Sequence, residues 1–171
     1  MAAYTTINKP SLHFNTKLYT GTGSQQTISG VGFQPDWTWI KLRNDNTANH
    51  ELFDIVRGAT KYLGSNTTAA EQTDAQKLQS WNTDGFVIGT NGNVNQNSSA
   101  FASWNWKANG QGSSNTDGSI NTTYTSVNTT AGFSISKYTG TGSAATVGHG
   151  LGVAPKMVIV KRLNNADGWQ V

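Results

Sequence analysis

From Trp37 to Arg43 the chain alternates strictly. Trp37, Trp39, Lys41 and Arg43 fall on one side, Thr38, Ile40 and Leu42 on the other. Period two is the mark of a half-buried strand. Ile40 and Leu42 are expected to face inward, with the Trp pair covering an edge or a neighbouring element. The same alternation returns at the 100–107 stretch, where Ala100, Ala102, Trp104 and Trp106 share a face. Compact apolar runs at Leu52–Val56, at Tyr62-Leu63 and at Phe86–Gly89 predict further short strands. Lys17–Ser29 reads as a hairpin turning at Gly21 and Gly23. Asn82-Thr83-Asp84-Gly85 is a turn, and Ala75–Trp81 has room for a helical turn or two. Ahead of these, Leu12 and Phe14 alternate with polar residues. Pro10 makes that lead-in extended, suited to an edge strand or to an arm laid on a partner.

The pattern is written twice. Tyr19-Thr20-Gly21-Thr22-Gly23-Ser24, then Gly30-Val31-Gly32-Phe33-Gln34-Pro35, then Trp37–Lys41 reappears about 120 residues later. The second copy is Tyr138–Ser143, Gly150–Pro155 and Met157–Lys161. A repeat of this length sets the architecture before any single motif does. The expected fold is all-β: a β-sandwich unit (jelly-roll or lectin-like) followed by the start of a second, repeated β-unit. The divisions are an N-terminal arm at 1–16, a first unit at 17–108, a Ser/Thr/Asn/Gly linker or bridge at 109–131, and an incomplete second unit at 132–171. That second unit has its hairpin and a Met157–Leu163 strand, but no counterpart of Phe86–Gly89 or of the Trp104–Trp106 strand. Half a sandwich leaves open edges. The preferred expectation is a polypeptide continuing beyond Val171; the alternative is completion by another subunit.

Composition narrows the function. Charged residues are 12% of the 171, well below the usual quarter, while Gly (19), Asn, Ser and Thr take their place. With six Trp, six Phe and five Tyr the chain is too aromatic to be disordered. The net charge of +3 comes from scattered Lys and Arg, which gives no nucleic-acid footprint. No cysteine is present, no apolar run is long enough to span a membrane, and no basic-then-apolar leader opens the sequence. A soluble protein made in a cytoplasm is expected, without membrane insertion.

No chemistry-bearing constellation stands out. His13, His50 and His149 lack metal-ligand spacing, and Asn44–Asn49 lacks the Gly and Glu of a calcium loop. Ser24 and Ser143 sit in Gly-rich turns that are neither nucleophile elbows nor phosphate loops. Nothing pairs Glu51, Asp36 or Asp54 across a scissile bond. Four Asn-x-Ser/Thr sequons, at Asn66, Asn97, Asn121 and Asn128, carry little weight without a leader. No catalytic, cofactor or metal residue is assigned, and an enzyme is not expected. Trp37, Trp39, Trp104 and Trp106 are candidates for stacking on sugars. Core filling is the preferred reading of the four.

The repeat itself resembles one found in structural proteins of tailed bacteriophages, marine and cyanobacterial ones above all. The resemblance covers most of the chain from about Tyr4. It rests on Tyr-Thr-Gly-Thr-Gly-Ser, Gly-x-Gly-x-x-Pro and the strand ending at Lys41–Arg43. Arg57–Leu63, Thr83–Phe86, Trp104–Lys107, Thr116–Ile120 and Ala131–Phe133 add to it. It implies a virion appendage such as a tail fibre, built of repeated β-units, trimeric, assembled in the host cytoplasm and docked on other virion proteins. Tyr4, Pro10, Leu12 and Phe14 would be the docking residues. These motifs are structural, so no catalytic residue carries over. The Trp pairs and Asn-rich loops such as Asn91–Asn97 leave an alternative, a module binding host receptor or glycan.

Overall fold

The computed structural model describes residues 7–45 and 47–171. Tyr4 lies outside the described residues. A 3-10 turn at Pro10–Leu12 leads into β1 (Phe14–Thr20), followed by β2 (Gln26–Ile28), β3 (Trp37–Leu42), β4 (Glu51–Asp54), β5 (Lys61–Gly64) and β6 (Gln72–Thr73). Next come β7 (Leu78–Asn82), β8 (Gly85–Ile88), a single helical turn α1 (Gly92–Asn95), β9 (Ala100–Trp106), β10 (Tyr124–Asn128) and β11 (Phe133–Lys137). The chain is all-β, as the turn-rich pattern predicts.

Two sheets face each other. One has the order β1-β9-β3-β4-β5-β6, the other β2-β8-β7. Every pairing is antiparallel, and β3 lies between β9 and β4. The core between the layers is Ile40, Leu42, Phe53 and Phe101 from the large sheet, against Ile28, Leu78, Phe86 and Ile88 from the small one. Val94 of α1 closes one end. Alternation along β3 turns Thr38, Ile40 and Leu42 inward and Trp37 and Trp39 outward, as expected. Along β9 Phe101, Ser103 and Asn105 are buried on the core side and Ala102 is buried on the other, the side on which the half-buried Trp104 and Trp106 face out. The four Trp are therefore not core fillers: they line the outside of the large sheet.

Several expected elements come out differently. Lys17–Ser29 is not a hairpin. β1 pairs with β9 and β2 pairs with β8, so the two arms belong to opposite layers. The Gly21–Ser24 turn is tied to the 95–99 region instead. Gly21 N–H donates to Ser99 O and Gly23 N–H to Asn95 O. The buried Asn95 side chain accepts from Thr22 N at 2.8 Å and donates to Ser24 O and Gly89 O. Those bonds satisfy the turn where cross-strand bonds would have done so. In the stretch expected to hold a helical turn, Ala75–Trp81, the chain enters β7 at Leu78, which pairs with β8 through the two-residue Thr83-Asp84 turn with a bulge between Leu78 and Ser80. Pro10 does not hold the lead-in extended, because proline is tolerated in the first helical turn, where its missing N–H costs nothing. The sandwich also starts before residue 17, since Phe14, Asn15 and Thr16 belong to β1.

The 109–131 stretch is not a loose linker. Ile120, Thr122, Thr125 and Ser126 are buried, and β10 within it pairs with β11 beyond it. Gly112, at φ 71°, lets the backbone pass where a side chain would strike the Thr125 carbonyl.

The second copy repeats the first in its turns rather than in its sheet. Gly150 and Gly152 have φ 70° and 73°, matching Gly30 and Gly32 at 78° and 92°. Thr141 Oγ1 donates to Ser143 O as Thr22 Oγ1 does to Ser24 O. The expected Met157–Leu163 strand is absent. Val160 makes one antiparallel bridge to Gln170, in the place where Ile40 pairs with Glu51 in β3 and β4. β3 is held from both sides, whereas among the described residues nothing lies against 157–160 in the position β9 takes on β3. Met157 is 67% exposed, and Val158–Val160 are exposed with it.

Candidate functional site

Register places the outward side chains of β1, β9 and β3 in three rows. They are Phe14–Trp106–Trp37, Thr16–Trp104–Trp39 and Leu18–Ala102–Lys41. The first row is an aromatic stack. Ring centroids lie 4.8 Å apart for Phe14–Trp106 and 4.8 Å for Trp37–Trp106. Phe133 of β11 then lies parallel on Trp37, at 5.5 Å and 4°. Such pairs add about 0.5–1.5 kcal/mol each beyond the area they bury. This row is the joint by which the β10–β11 hairpin sits on the sandwich. Asn128 Nδ2, 3.3 Å from both His13 Nδ1 and Lys107 O, pins the same end of the hairpin, since Asn128 pairs with Phe133.

The middle row stays open. Trp39 meets Trp104 edge-on at 5.9 Å, and its indole N–H donates to His50 Nδ1 at 2.9 Å. Burial, and then the Lys41 charge, pull the His50 pKa below its ordinary value, so the ring is neutral at pH 7 and Nδ1 is free to accept. Leu18 in the third row is 59% exposed. Of the proposed docking residues, Pro10 and Leu12 are exposed in the 3-10 turn, and Phe14 is built into the aromatic stack. The seven candidates among the described residues thus divide: Trp37, Trp106 and Phe14 meet in one cluster, Trp39 and Trp104 form an edge-on pair, and Leu12 and Pro10 stand apart.

A second contact joins the two copies of the repeat. Lys161 Nζ donates to Thr68 O at 3.2 Å, Glu71 N–H to Leu163 O at 2.8 Å, and Trp169 Nε1 to both Gly64 O and Thr67 O at 3.1 Å. The 161–169 loop is thereby laid on the β5–β6 loop of the first unit. Three of these bonds use side chains that the repeat alone does not mark as contacts.

Sequence reasoning also missed the buried charges. Lys77 pairs with Glu51 at 2.7 Å, and Arg57 with Asp54. Asp36 is buried with Oδ2 accepting from Ala108 N at 2.6 Å, and burial raises its pKa. A visible signal existed at Glu51 and Asp54, which flank the apolar pair Leu52-Phe53 within one strand. The Asp84 carboxylate lies outside the core. It accepts from Gly30 N and Gly32 N at 2.8 and 2.6 Å, which fixes the corner before β3 and lowers its pKa. Among the described residues no three His, Cys, Asp or Glu side chains gather as a metal site, and no helix is long and apolar enough to cross a membrane.

No curated protein and no solved structure matches the chain. A family model described as a domain of unknown function, DUF7483, matches residues 9–171. That span includes the aromatic joint, the buried ion pairs and both copies of the repeat, and the chain belongs to the DUF7483 family.

Proposed function

We propose that this chain is a non-catalytic structural module of a bacteriophage virion appendage, the docking part of a tail fibre, in which β-units follow one another head to tail. The observation that carries the reading is the contact between repeats: the loop after Val160 is fixed on the β5–β6 loop by Lys161, Leu163 and Trp169. A unit that carries its successor on a defined loop suits an extended, load-bearing arrangement better than an enzyme. The phage-like motifs, Tyr-Thr-Gly-Thr-Gly-Ser first among them, support the same reading. The partners are other virion proteins, met through Pro10, Leu12 and the neighbouring strand edge. Antibodies against the sandwich, applied to purified particles of the phage that encodes it, should place gold label on the appendage in electron micrographs. Unlabelled particles with the protein left in the soluble lysate would overturn the assignment.

A second reading is favoured by the open middle row of the sheet. Trp39, Trp104 and the exposed Leu18 present an apolar strip beside His50 and Thr16, suited to a host glycan or receptor. Trp104→Ala should then abolish labelling of host cells by the purified chain while leaving its melting temperature near that of the parent. Labelling that survives the change removes this reading.

A further inference from the structure

Three side chains meet at the end of the sandwich that α1 closes. Glu51, which opens β4, and Lys77, just before β7, are 1% and 2% exposed. Asn93 of α1 is half-buried beside them. Glu51 Oε1 accepts from both neighbours, from Lys77 Nζ at 2.7 Å and from Asn93 Nδ2 at 2.9 Å. An amine and a carboxamide thus share one oxygen atom. Lys77 Nζ also lies 3.2 Å from the centroid of the Tyr62 ring, which limits where it can move. Main-chain bonds hold both residues in place: Gly89 N–H donates to Lys77 O at 2.8 Å, and Asn93 N–H donates to Asn91 Oδ1 at 2.9 Å. Glu51 Oε2 is buried with no hydrogen-bond partner, so an ionised carboxylate there leaves one oxygen unmet.

The geometry points to an intramolecular isopeptide bond between Lys77 Nζ and Asn93 Cγ, formed by the chain itself with Glu51 carrying the protons. A proton passes first along the 2.7 Å hydrogen bond from the Lys77 ammonium to Glu51, leaving an amine and a carboxylic acid, both neutral. The amine then attacks Asn93 Cγ. Glu51, already bonded to Nδ2, gives its proton to that nitrogen and takes one from Nζ. The Nζ–Cγ bond forms and the Cγ–Nδ2 bond breaks. Ammonia leaves and takes the remaining proton from Glu51, which is ionised again. One ammonium and one carboxamide become one secondary amide and one ammonium ion, and the step needs no oxidant and no co-reactant. Groups held side by side react as though at very high concentration, which is what the shared oxygen provides. A cavity of about 110 Å³ lined by Glu51, Lys77 and Asn93, with the exposed Asn49 and Gln72 at its rim, gives ammonia a way out. The bond ties α1 to the start of β7. Until it forms, the two charges remain an ion pair. The site is independent of the virion reading and stands whether or not the chain is part of a particle.

The test is the intact mass of the full chain, purified folded and then denatured. It should fall short of the mass of the sequence by about 17 Da, one ammonia. Trypsin with chymotrypsin cuts the intervening chain at Trp81 and Phe86, yet the peptides bearing Lys77 and Asn93 should stay joined. Lys77→Arg, Asn93→Ala and Glu51→Gln should each restore the full mass, and an amide spectrum shows which of them are folded. Asn93→Ala leaves the Lys77–Glu51 pair in place and is the companion variant should the other two fail to fold. A parent chain that keeps its full mass after prolonged incubation overturns the proposal. So does a deficit of that size that maps to a cyclised Asn91 or Asn109, each followed by glycine, or that persists in Asn93→Ala.

Discussion

Lys41 and Lys161 hold their loops in the same way. Lys41 Nζ donates to the carbonyls of Leu42, Asp45 and Ala48 at 2.8, 3.2 and 3.0 Å. Lys161 Nζ donates to the equivalent carbonyls of Arg162 and Asn165 at 3.0 and 3.5 Å, and its third acceptor is Thr68 of the first unit. One lysine closes its own loop, while the other closes its loop onto its neighbour. Lys161→Met should therefore loosen the contact between repeats without touching the core. Exchange of the Glu71 amide should rise while the melting transition shifts by less than about 1 kcal/mol, because exposed polar contacts of this kind are worth little. Differential scanning calorimetry beside amide exchange reads both quantities.

The Lys77–Glu51 pair behaves as a buried unit. Glu51→Leu leaves a buried ammonium without its counter-charge and should cost about 3–5 kcal/mol, as should Lys77→Met for the opposite reason. The double variant Glu51→Leu/Lys77→Met should recover much of that loss, since neither charge is then buried alone. Urea denaturation of the two single variants and the double variant gives the coupling.

Trp106 is the centre of the aromatic joint, touching Phe14, Trp37 and Phe133. Trp106→Ala should destabilise by about 3 kcal/mol or more, in the range of large aromatic truncations. It should also release β11 from the sheet, which loss of Phe133 contacts in an NMR spectrum would report. Phe133→Ala should detach the hairpin alike but cost the sandwich less.

Acid should act through Trp39 and Asp84. His50 titrates below its ordinary value, so the stability it contributes is fully present above about pH 6.5 and is lost as pH falls through the lowered pKa. Protonation turns Nδ1 from acceptor to donor, facing the Trp39 indole N–H. The Trp39 indole proton should shift over that window in the parent and not in His50→Phe. Asp84 is also held low, so the stability its two bonds to the Gly30–Gly32 corner contribute is fully present above about pH 4 and is lost as pH falls through the lowered value. Asp36 runs the other way: its raised pKa favours the fold at low pH, and that contribution fades as pH rises through it. Asp84→Asn should flatten the acid limb of the stability curve, and Asp36→Asn should steepen it.

Local periodicity made the sandwich legible where burial is one-sided. Trp37–Leu42 alternates because one face meets the core, and the inward assignment of Ile40 and Leu42 follows from that alone. The Asn82–Gly85 turn was equally readable, since Asn82 Oδ1 accepts from Asp84 N in a local turn that needs no tertiary help. What escaped were choices made by distant partners. Gly21–Ser24 looks like a hairpin turn until Asn95, far along the chain, claims its amides. The 109–131 stretch reads as a linker or bridge because, Ile120 apart, its buried residues are Thr and Ser, which pack by hydrogen bonds such as Thr122–Thr125 and Thr125–Ser136 rather than by apolar bulk. Met157–Leu163 has the composition of a strand and lacks the neighbours that would make it one. Of the candidate residues, Trp37 and Trp106 did converge with Phe14, but Phe133, which completes the stack, carries no signal beyond its own alternation.

The central claim is that the second copy of the repeat is seated on the first. Amide exchange at Glu71, whose N–H is bonded to Leu163 O, tests it most directly. In the intact chain Glu71 should be protected, and Trp169→Ala, which removes the bonds to Gly64 and Thr67, should erase that protection while the amides of Ile40 and Phe101 stay slow. A Glu71 amide that exchanges as fast in the intact chain as in one truncated after Lys156 would contradict it.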